Sequence, residues 1–187
     1  MTAKLIFCDK IVRLKKNFFY EGGTRLRKKN TKNKNPLFSI ITVVYNNQKY
    51  LEETILSVLK QSYKNFEYII VDGGSTDKTL EIIKKYNNKI DYWVSEKDKG
   101  IYDAFNKGMS LCRGNFIGII NSDDTYTKNS LKIISSYIKK KPEFDFIFGS
   151  VRKHWGVLYG YKPKKIFYSW GFYSSHSTGF FIKRTSA

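Results

Sequence analysis

The feature that most limits how this chain folds is the alternation of short apolar, β-branched runs with amphipathic segments. Residues 38–44 form a nearly continuous apolar run, typical of a strand buried on both faces. The pattern predicts strands over 38–44, 66–71, 91–95, 116–120, 144–148 and 178–183. Helical spacing predicts helices over 49–62, 76–86, 101–112 and 128–139. This alternation indicates βαβ units and therefore an α/β fold with a mostly parallel sheet.

Polar residues follow four of the predicted strands at the point where each strand ends. Because ligands of such sheets bind at the carboxyl ends of the strands, we expect these residues to share one edge. The segment 72–77 is not a Walker loop, and Ser75 or Thr76 is the predicted N-cap of the helix that follows it. Residues 151–170 are predicted to form a hairpin or loop. The polar segments are 45–47, 72–77, 96–100 and 121–124.

Asp123 and Asp124 directly follow a predicted strand, and adjacent carboxylates suit a hard divalent ion such as Mg²⁺ or Mn²⁺. Taken singly, each of these segments has a simpler interpretation. The two aspartates can form a turn and a helix cap, the stretch 72–77 can be a glycine turn, and Tyr45 can belong to the core. The coincidence of four polar loops on one edge favours a binding site.

The net charge of +18 is concentrated at the two ends of the chain. Residues 1–36 carry 11 Lys and Arg against two acidic residues, and residues 151–187 carry seven against none. We therefore predict a basic N-terminal arm at 1–36, a core domain at 37–150 and a partial C-terminal region at 151–187. The near-neutral middle and its acidic polar residues argue against a nucleic-acid-binding module.

Two interpretations of the first residues stay open. Residues 4–20 mix apolar and basic side chains, as in an amphipathic helix on an anionic membrane surface, but a poorly ordered tail has the same composition. We interpret residues 24–35 as a solvated arm. No apolar run of membrane-spanning length and no secretion signal are found, and Cys8 and Cys112 are expected to be reduced thiols. These observations predict a cytoplasmic protein, and the amphipathic-helix interpretation adds peripheral contact with the anionic inner membrane.

Five segments in order closely resemble the family 2 glycosyltransferases, which have the GT-A fold, a mostly parallel sheet flanked by helices. The block Asp98-Lys99-Gly100-Ile101-Tyr102-Asp103-Ala104 resembles bacterial enzymes of exopolysaccharide or lipopolysaccharide assembly. The resemblance implies inverting transfer of a hexosyl or related sugar from a nucleotide-sugar donor to a hydroxyl of a glycan or lipid-linked acceptor. The segments are 38–46, 51–63, 71–79, 95–108 and 121–124.

The resemblance also implies roles for individual residues. Tyr45 and Asn46 would line the nucleotide pocket, Asp72 would accept a hydrogen bond from the base, and Asp98 would lie near the ribose or diphosphate. Asp123 and Asp124 would hold the metal, Mg²⁺ or Mn²⁺, on the diphosphate. Gly100, Asn106 and Asn121 complete the predicted nucleotide-binding set; Asn121 stands where the family has the first Asp of its Asp-x-Asp element.

The catalytic base is where the sequence departs from the family. Residues 151–187 contain no Asp or Glu, and relatives often have Asp at the position of Ser150. His176 is the candidate base that remains, since a neutral imidazole accepts a proton at pH 7; His176 and His154 can equally be packing or surface residues. The chain ends earlier than the resemblance implies, which predicts a truncated gene product with an incomplete acceptor half. A catalytically dead remnant that binds only nucleotide is the main alternative.

Overall fold

The structure is a computed structural model that describes residues 20–27, 36–153, 156–158 and 177–187. The α-helices are α1 Leu51–Leu59, α2 Thr79–Lys85, α3 Ile101–Ser110 and α4 Ser130–Lys140. The strands are β1 Tyr20–Gly22, β2 Phe38–Val44, β3 Phe66–Asp72, β4 Tyr92–Ser95, β5 Phe116–Ile119, β6 Phe146–Phe148, β7 Val151–Lys153, β8 Gly156–Leu158 and β9 Phe180–Lys183. Within these ranges, no helix is long and apolar enough to cross a bilayer.

A seven-stranded sheet in the order β1-β4-β3-β2-β5-β9-β6 forms the centre of the fold. Strands β4, β3, β2 and β5 are parallel neighbours, which confirms the predicted mostly parallel α/β architecture. The flanking pairs are antiparallel: β1 pairs with β4, and β9 lies between β5 and β6. The four parallel strands therefore end side by side at one edge.

Strand β2 is central because both of its faces are covered. Every residue from Phe38 to Val44 is buried, as the continuous apolar run predicts. On one face its side chains join a cluster with residues of α1, α2 and α4, and on the other they join residues of α3. The parallel strands therefore form the middle layer of an α/β/α arrangement.

The first described segment, 20–27, is folded onto the sheet. Strand β1 extends the edge beyond β4, and a 3-10 turn at Thr24–Leu26 follows it, with Arg25 N donating to the Asp91 carbonyl over 2.8 Å. The interpretation of residues 24–35 as a solvated arm is therefore wrong for 24–27. The division of the chain at residues 36 and 150 stays a prediction.

Two local expectations are wrong in detail, and a third is confirmed in its described part. Helix α2 begins at Thr79 with Lys78, and not Ser75 or Thr76, at the N-cap position, and the Asp77 carboxylate accepts from Thr79 N over 2.9 Å. The predicted strand at 178–183 starts at Phe180, after a 3-10 turn at Ser177–Gly179. The expected hairpin or loop after residue 150 is the antiparallel pair β7–β8 in its described part.

Candidate active site

The predicted polar loops do meet at one edge of the sheet. They follow β4, β3, β2 and β5, whose parallel order places their carboxyl ends in a continuous row. Asp72, the last residue of β3, and Asp123, in the loop after β5, are thus separated by the end of β2 alone. The sequence prediction that these loops converge is confirmed, while the ligand roles of the residues stay predictions.

The loop after β2 is hydrogen-bonded to the loop after β3. The Asn46 side-chain oxygen accepts from Thr76 N over 2.8 Å, and Ser75 Oγ accepts from Asn46 N over 2.8 Å. Asn46 has φ of 48°, in the left-handed region that Asn tolerates better than most residues. Tyr45 is 63% exposed, so it is available to a ligand and does not belong to the core.

Asp72 forms the floor of this edge and is fully buried. One carboxylate oxygen accepts from Ser95 Oγ over 2.6 Å, and both oxygens face Ser75 N at 3.2 and 3.3 Å. The Ser75 hydroxyl also donates to Asp72. Asp72 therefore fixes the turn after β3 to β4, and its hydrogen bond with a nucleobase stays a prediction.

The loop after β4 packs against the same turn. A Cβ atom placed on Gly73 would lie 2.5 Å from Asp98 Oδ2, so only glycine allows Asp98 this position. Asp98 Oδ1 accepts from Gly100 N over 2.9 Å, and Gly100, with φ of 113°, precedes α3. Asn106 is exposed and lies roughly 9 Å along α3 from Gly100, farther from the edge than Asp98.

The acidic turn after β5 completes the row. Asn121 Nδ2 donates to Asp124 Oδ2 over 3.0 Å, and Thr178 Oγ1 donates to the same oxygen. Asn47 Nδ2 donates to Ser122 Oγ over 2.8 Å, which ties this turn to the loop after β2. Asp124 is half-buried and oriented by these donors, whereas its neighbour Asp123 is exposed.

Thr178 is a residue of this site that the sequence analysis did not single out. It is buried, and it precedes β9, the strand that pairs antiparallel with β5. No local sequence pattern predicts this contact, because Thr178 and Asp124 are 54 residues apart. His176, the predicted base, lies outside the described residues.

The oxygen ligands at this edge suit a divalent cation bound together with a ligand. In the described part of the chain no three His, Cys, Asp or Glu side chains cluster as a metal site. Mg²⁺ is commonly held by one or two carboxylates plus phosphate oxygens, and Asp123 and Asp124 supply such a pair. These residues therefore fit a cation that is coordinated both by the carboxylates and by the oxygens of a diphosphate.

Asp77 strengthens the link between two of the loops. Its Oδ2 accepts from Gln48 N over 3.1 Å, in addition to the bond from Thr79 N. Partial burial raises the pKa of Asp77, but the hydrogen bonds from Thr79 and Gln48 outweigh that effect, so the pKa lies below its ordinary value. The ionised form is the one that holds the loops together.

Comparison with known proteins identifies relatives over most of this chain. Residues 39–186 match the family model described as Glycosyl transferase family 2. Glycosyltransferase GlyG of Streptococcus pneumoniae serotype 4 is 34% identical over 117 residues, 61% of this chain and 38% of GlyG. The putative teichuronic acid biosynthesis glycosyltransferase TuaG of Bacillus subtilis is 40% identical over 101 residues, 52% of this chain and 40% of TuaG.

Solved structures share the fold. TarS of Staphylococcus aureus, residues 1–349, superposes with a TM-score of 0.60 at 25% identity, covering 79% of this chain and 47% of TarS. Its complex with UDP-GlcNAc gives a TM-score of 0.61 at 24% identity, over 79% of this chain and 45% of TarS. The GT-A expectation is thereby confirmed. The chain spans less than half the length of each of these relatives.

Proposed function

The chain belongs to glycosyl transferase family 2, and on that premise we propose that its carboxyl edge binds a nucleotide-sugar donor for inverting transfer of the sugar to a hydroxyl acceptor. The observation that carries the proposal is the hydrogen-bonded row of four loops, which runs from Asp98 through Asp72 and Asn47 to the acidic turn at 121–124. A donor has a base, a ribose and a diphosphate to be held in line, and a row of loops offers contacts to each.

The loops of the row divide the proposed roles. Tyr45 offers an aromatic face to the base, beside Asn46, and Asp98 faces the ribose or diphosphate. Asp72 supports this pocket from below, where it orients Ser75. Asp123 and Asp124 would hold Mg²⁺ or Mn²⁺, which stabilises the charge that grows on the departing nucleoside diphosphate.

The acceptor and its deprotonation form the second half of the proposal. The name of TuaG supports a polysaccharide precursor as acceptor, and we propose a glycan or lipid-linked glycan. Inversion needs a general base beside the acceptor hydroxyl. We propose His176, since residues 151–187 contain no carboxylate side chain. This role would be excluded if a His176→Ala variant bound nucleotide like the wild type and also transferred the sugar as fast as the wild type.

The basic ends of the chain support a place at the cytoplasmic face of the inner membrane. Clustered Lys and Arg each contribute about 1 kcal/mol of attraction to an anionic leaflet. Flotation at low salt with vesicles of anionic and of neutral lipid tests this point. Binding to anionic vesicles but not to neutral ones supports the membrane location. Equal flotation with both kinds of vesicle, or with neither, contradicts the membrane location and leaves the donor-site proposal unaffected.

Calorimetry with nucleoside diphosphates tests the donor site. UDP, GDP, CDP and ADP are titrated into the full chain with and without MnCl₂, and the tightest ligand is then titrated into Asp123→Asn and Asp124→Asn variants. We expect Mn²⁺-dependent binding that weakens about tenfold or more in either variant, a loss typical of one charge-assisted contact. Asp145→Asn, on an exposed acid outside the site, is the matched control. Binding by none of the four, or binding that both site variants leave unchanged, would refute the proposal.

A further inference from the structure

A buried ion pair lies directly behind the nucleotide-binding edge. Lys107, on α3, binds Glu96, which follows β4, and their side chains are 7% and 16% exposed. A lysine ammonium taken out of water is costly unless a partner compensates it. The pair joins α3 to the start of loop 96–100, the loop that carries Asp98.

The sequence buries Lys107 by bringing α3 close to the sheet. Gly108, the next residue, faces the strands, and a Cβ atom there would lie 2.6 Å from Ile41 Cγ2 and 3.4 Å from Val71 Cγ2. Because glycine has no Cβ, the helix approaches β2 and β3 without a gap. Lys107 is thereby held beside the sheet, 8% exposed as a residue, with its ammonium directed to Glu96.

Glu96 in turn fixes the loop that faces the ligand. Its backbone N donates to the Asp72 carbonyl over 3.0 Å, one residue beyond the end of β4. A Cβ atom on Gly74 would lie 3.1 Å from Lys97 N, so the loop after β3 packs closely on the loop after β4. Two residues further on, Asp98 rests against Gly73. The position of Asp98 therefore depends on where Glu96 is held.

We propose that the Lys107–Glu96 ion pair positions loop 96–100, and with it Asp98, for nucleotide binding. Lys107 is a positioning residue, since it acts on the loop through Glu96. The contacts of Glu96 and Asp98 support the positioning of the loop, and the effect on ligand affinity rests on the proposed function. Without the ammonium, Glu96 is an unpaired, largely buried carboxylate, and it regains solvation only if the loop swings outward.

Limited trypsin digestion measures this opening without any ligand. Lys97 and Lys99 are exposed cleavage sites inside the loop, and Lys139 and Lys140 are exposed sites at the end of α4 that serve as internal reference. When opening is fast relative to cleavage, the cleavage rate follows the population of the open loop. We expect cleavage after Lys97 and Lys99 to rise about tenfold in Lys107→Met, with cleavage at the reference sites unchanged.

Two further variants separate positioning from general stability. Glu96→Gln weakens the same contact from the loop side, because a neutral amide binds the Lys107 ammonium less tightly than a carboxylate does. It should therefore also raise loop cleavage, and it keeps the proposal testable if Lys107→Met fails to fold. Lys85→Met breaks an ion pair with Glu52 whose side chains are 63% and 41% exposed, and it should leave loop cleavage unchanged. A rise at the loop no larger than at the reference sites, in both site variants, would overturn the proposal.

Nucleoside diphosphate affinity supplies the second readout. With the diphosphate that the wild type binds most tightly among UDP, GDP, CDP and ADP, Lys107→Met should weaken binding about tenfold while Lys85→Met binds like the wild type. Unchanged affinity together with an opened loop would overturn the consequence for the ligand. If the wild type binds none of the four, the proposed function fails, and the digestion still decides whether the ion pair holds the loop.

Discussion

Arg25 offers a quantitative test of how firmly the N-terminal segment is folded onto the sheet. Its guanidinium forms an ion pair with Glu67 at 2.5 Å, and the two side chains are 11% and 8% exposed. Arg25 also donates to the Leu111 carbonyl over 2.9 Å and lies 5.4 Å from the centre of the Tyr92 ring. Truncation to Arg25→Met removes all of these contacts and leaves the Glu67 carboxylate buried.

The size of the effect follows from what Glu67 retains. Removing one partner of a buried ion pair costs about 3–5 kcal/mol. Glu67 keeps two donors, Ser39 Oγ at 2.5 Å and Arg113 N at 2.6 Å, so we expect the lower end, about 3 kcal/mol. For a chain of 187 residues this lowers the melting temperature by roughly 6–12 °C.

Urea and thermal unfolding followed by circular dichroism measure this loss. Arg27→Met is the matched control, because Arg27 lies in the same segment but its contact with Asn88 is exposed, and its midpoint should not move. The double variant Arg25→Met/Glu67→Gln should recover part of the loss, since no buried charge is then left without a partner. Equal midpoints for wild type and Arg25→Met would show that the segment is solvated after all.

Three further predictions concern single residues. Asp77→Ala should destabilise the protein by about 1 kcal/mol at pH 7, because it removes the carboxylate that accepts from Thr79 N at the start of α2. Since the pKa of Asp77 is lowered in the folded protein, the difference should disappear as pH falls through that pKa, in urea titrations repeated from pH 7 to pH 3. A difference that is constant with pH would contradict this. Burial, and to a smaller extent the neighbouring Glu67, raises the pKa of the Cys112 thiol to about 12. In a Cys8→Ser variant at pH 8, iodoacetamide should therefore label Cys112 only after the protein is unfolded in urea. Rapid labelling of the folded protein would show that the thiol is accessible. Gly118→Ala should destabilise by about 1–3 kcal/mol, because the new methyl group meets the buried Phe181 ring; an unchanged urea midpoint would argue against the pairing of β9 with β5.

The parallel core could be predicted because its signals are local. Residues 38–44 are mostly apolar on both faces, and such a run has few places other than the middle of a sheet covered by helices. The position of the aspartates at strand ends then follows from topology, which is why the acidic turn after β5 was found. Strand β1 was missed because it has three residues and its register depends on β4, more than 70 residues away.

Long-range hydrogen bonding explains the remaining differences. Ser75 and Thr76 have good capping side chains, yet in the fold the Ser75 hydroxyl donates to Asp72 and the Thr76 hydroxyl donates to Asn46 Oδ1 over 3.4 Å. The first helical N–H, that of Thr79, is instead bound by the Asp77 carboxylate. Thr178 contacts Asp124 only because β9 runs antiparallel between β5 and β6. The complete burial of Asp72 likewise depends on Ser75 and Ser95, whose contacts with it no periodicity predicts.

A crystal structure with Mn²⁺ and the nucleoside diphosphate selected by calorimetry tests the central claim most directly. Anomalous scattering locates the metal independently of the nucleotide. We predict one Mn²⁺ peak at the acidic turn, coordinated by Asp123 or Asp124 and by diphosphate oxygens, with the base beside Tyr45. A nucleotide bound elsewhere, such as in the groove between Tyr20, Lys84 and Trp93, or a diphosphate with no metal at this turn, would contradict the account.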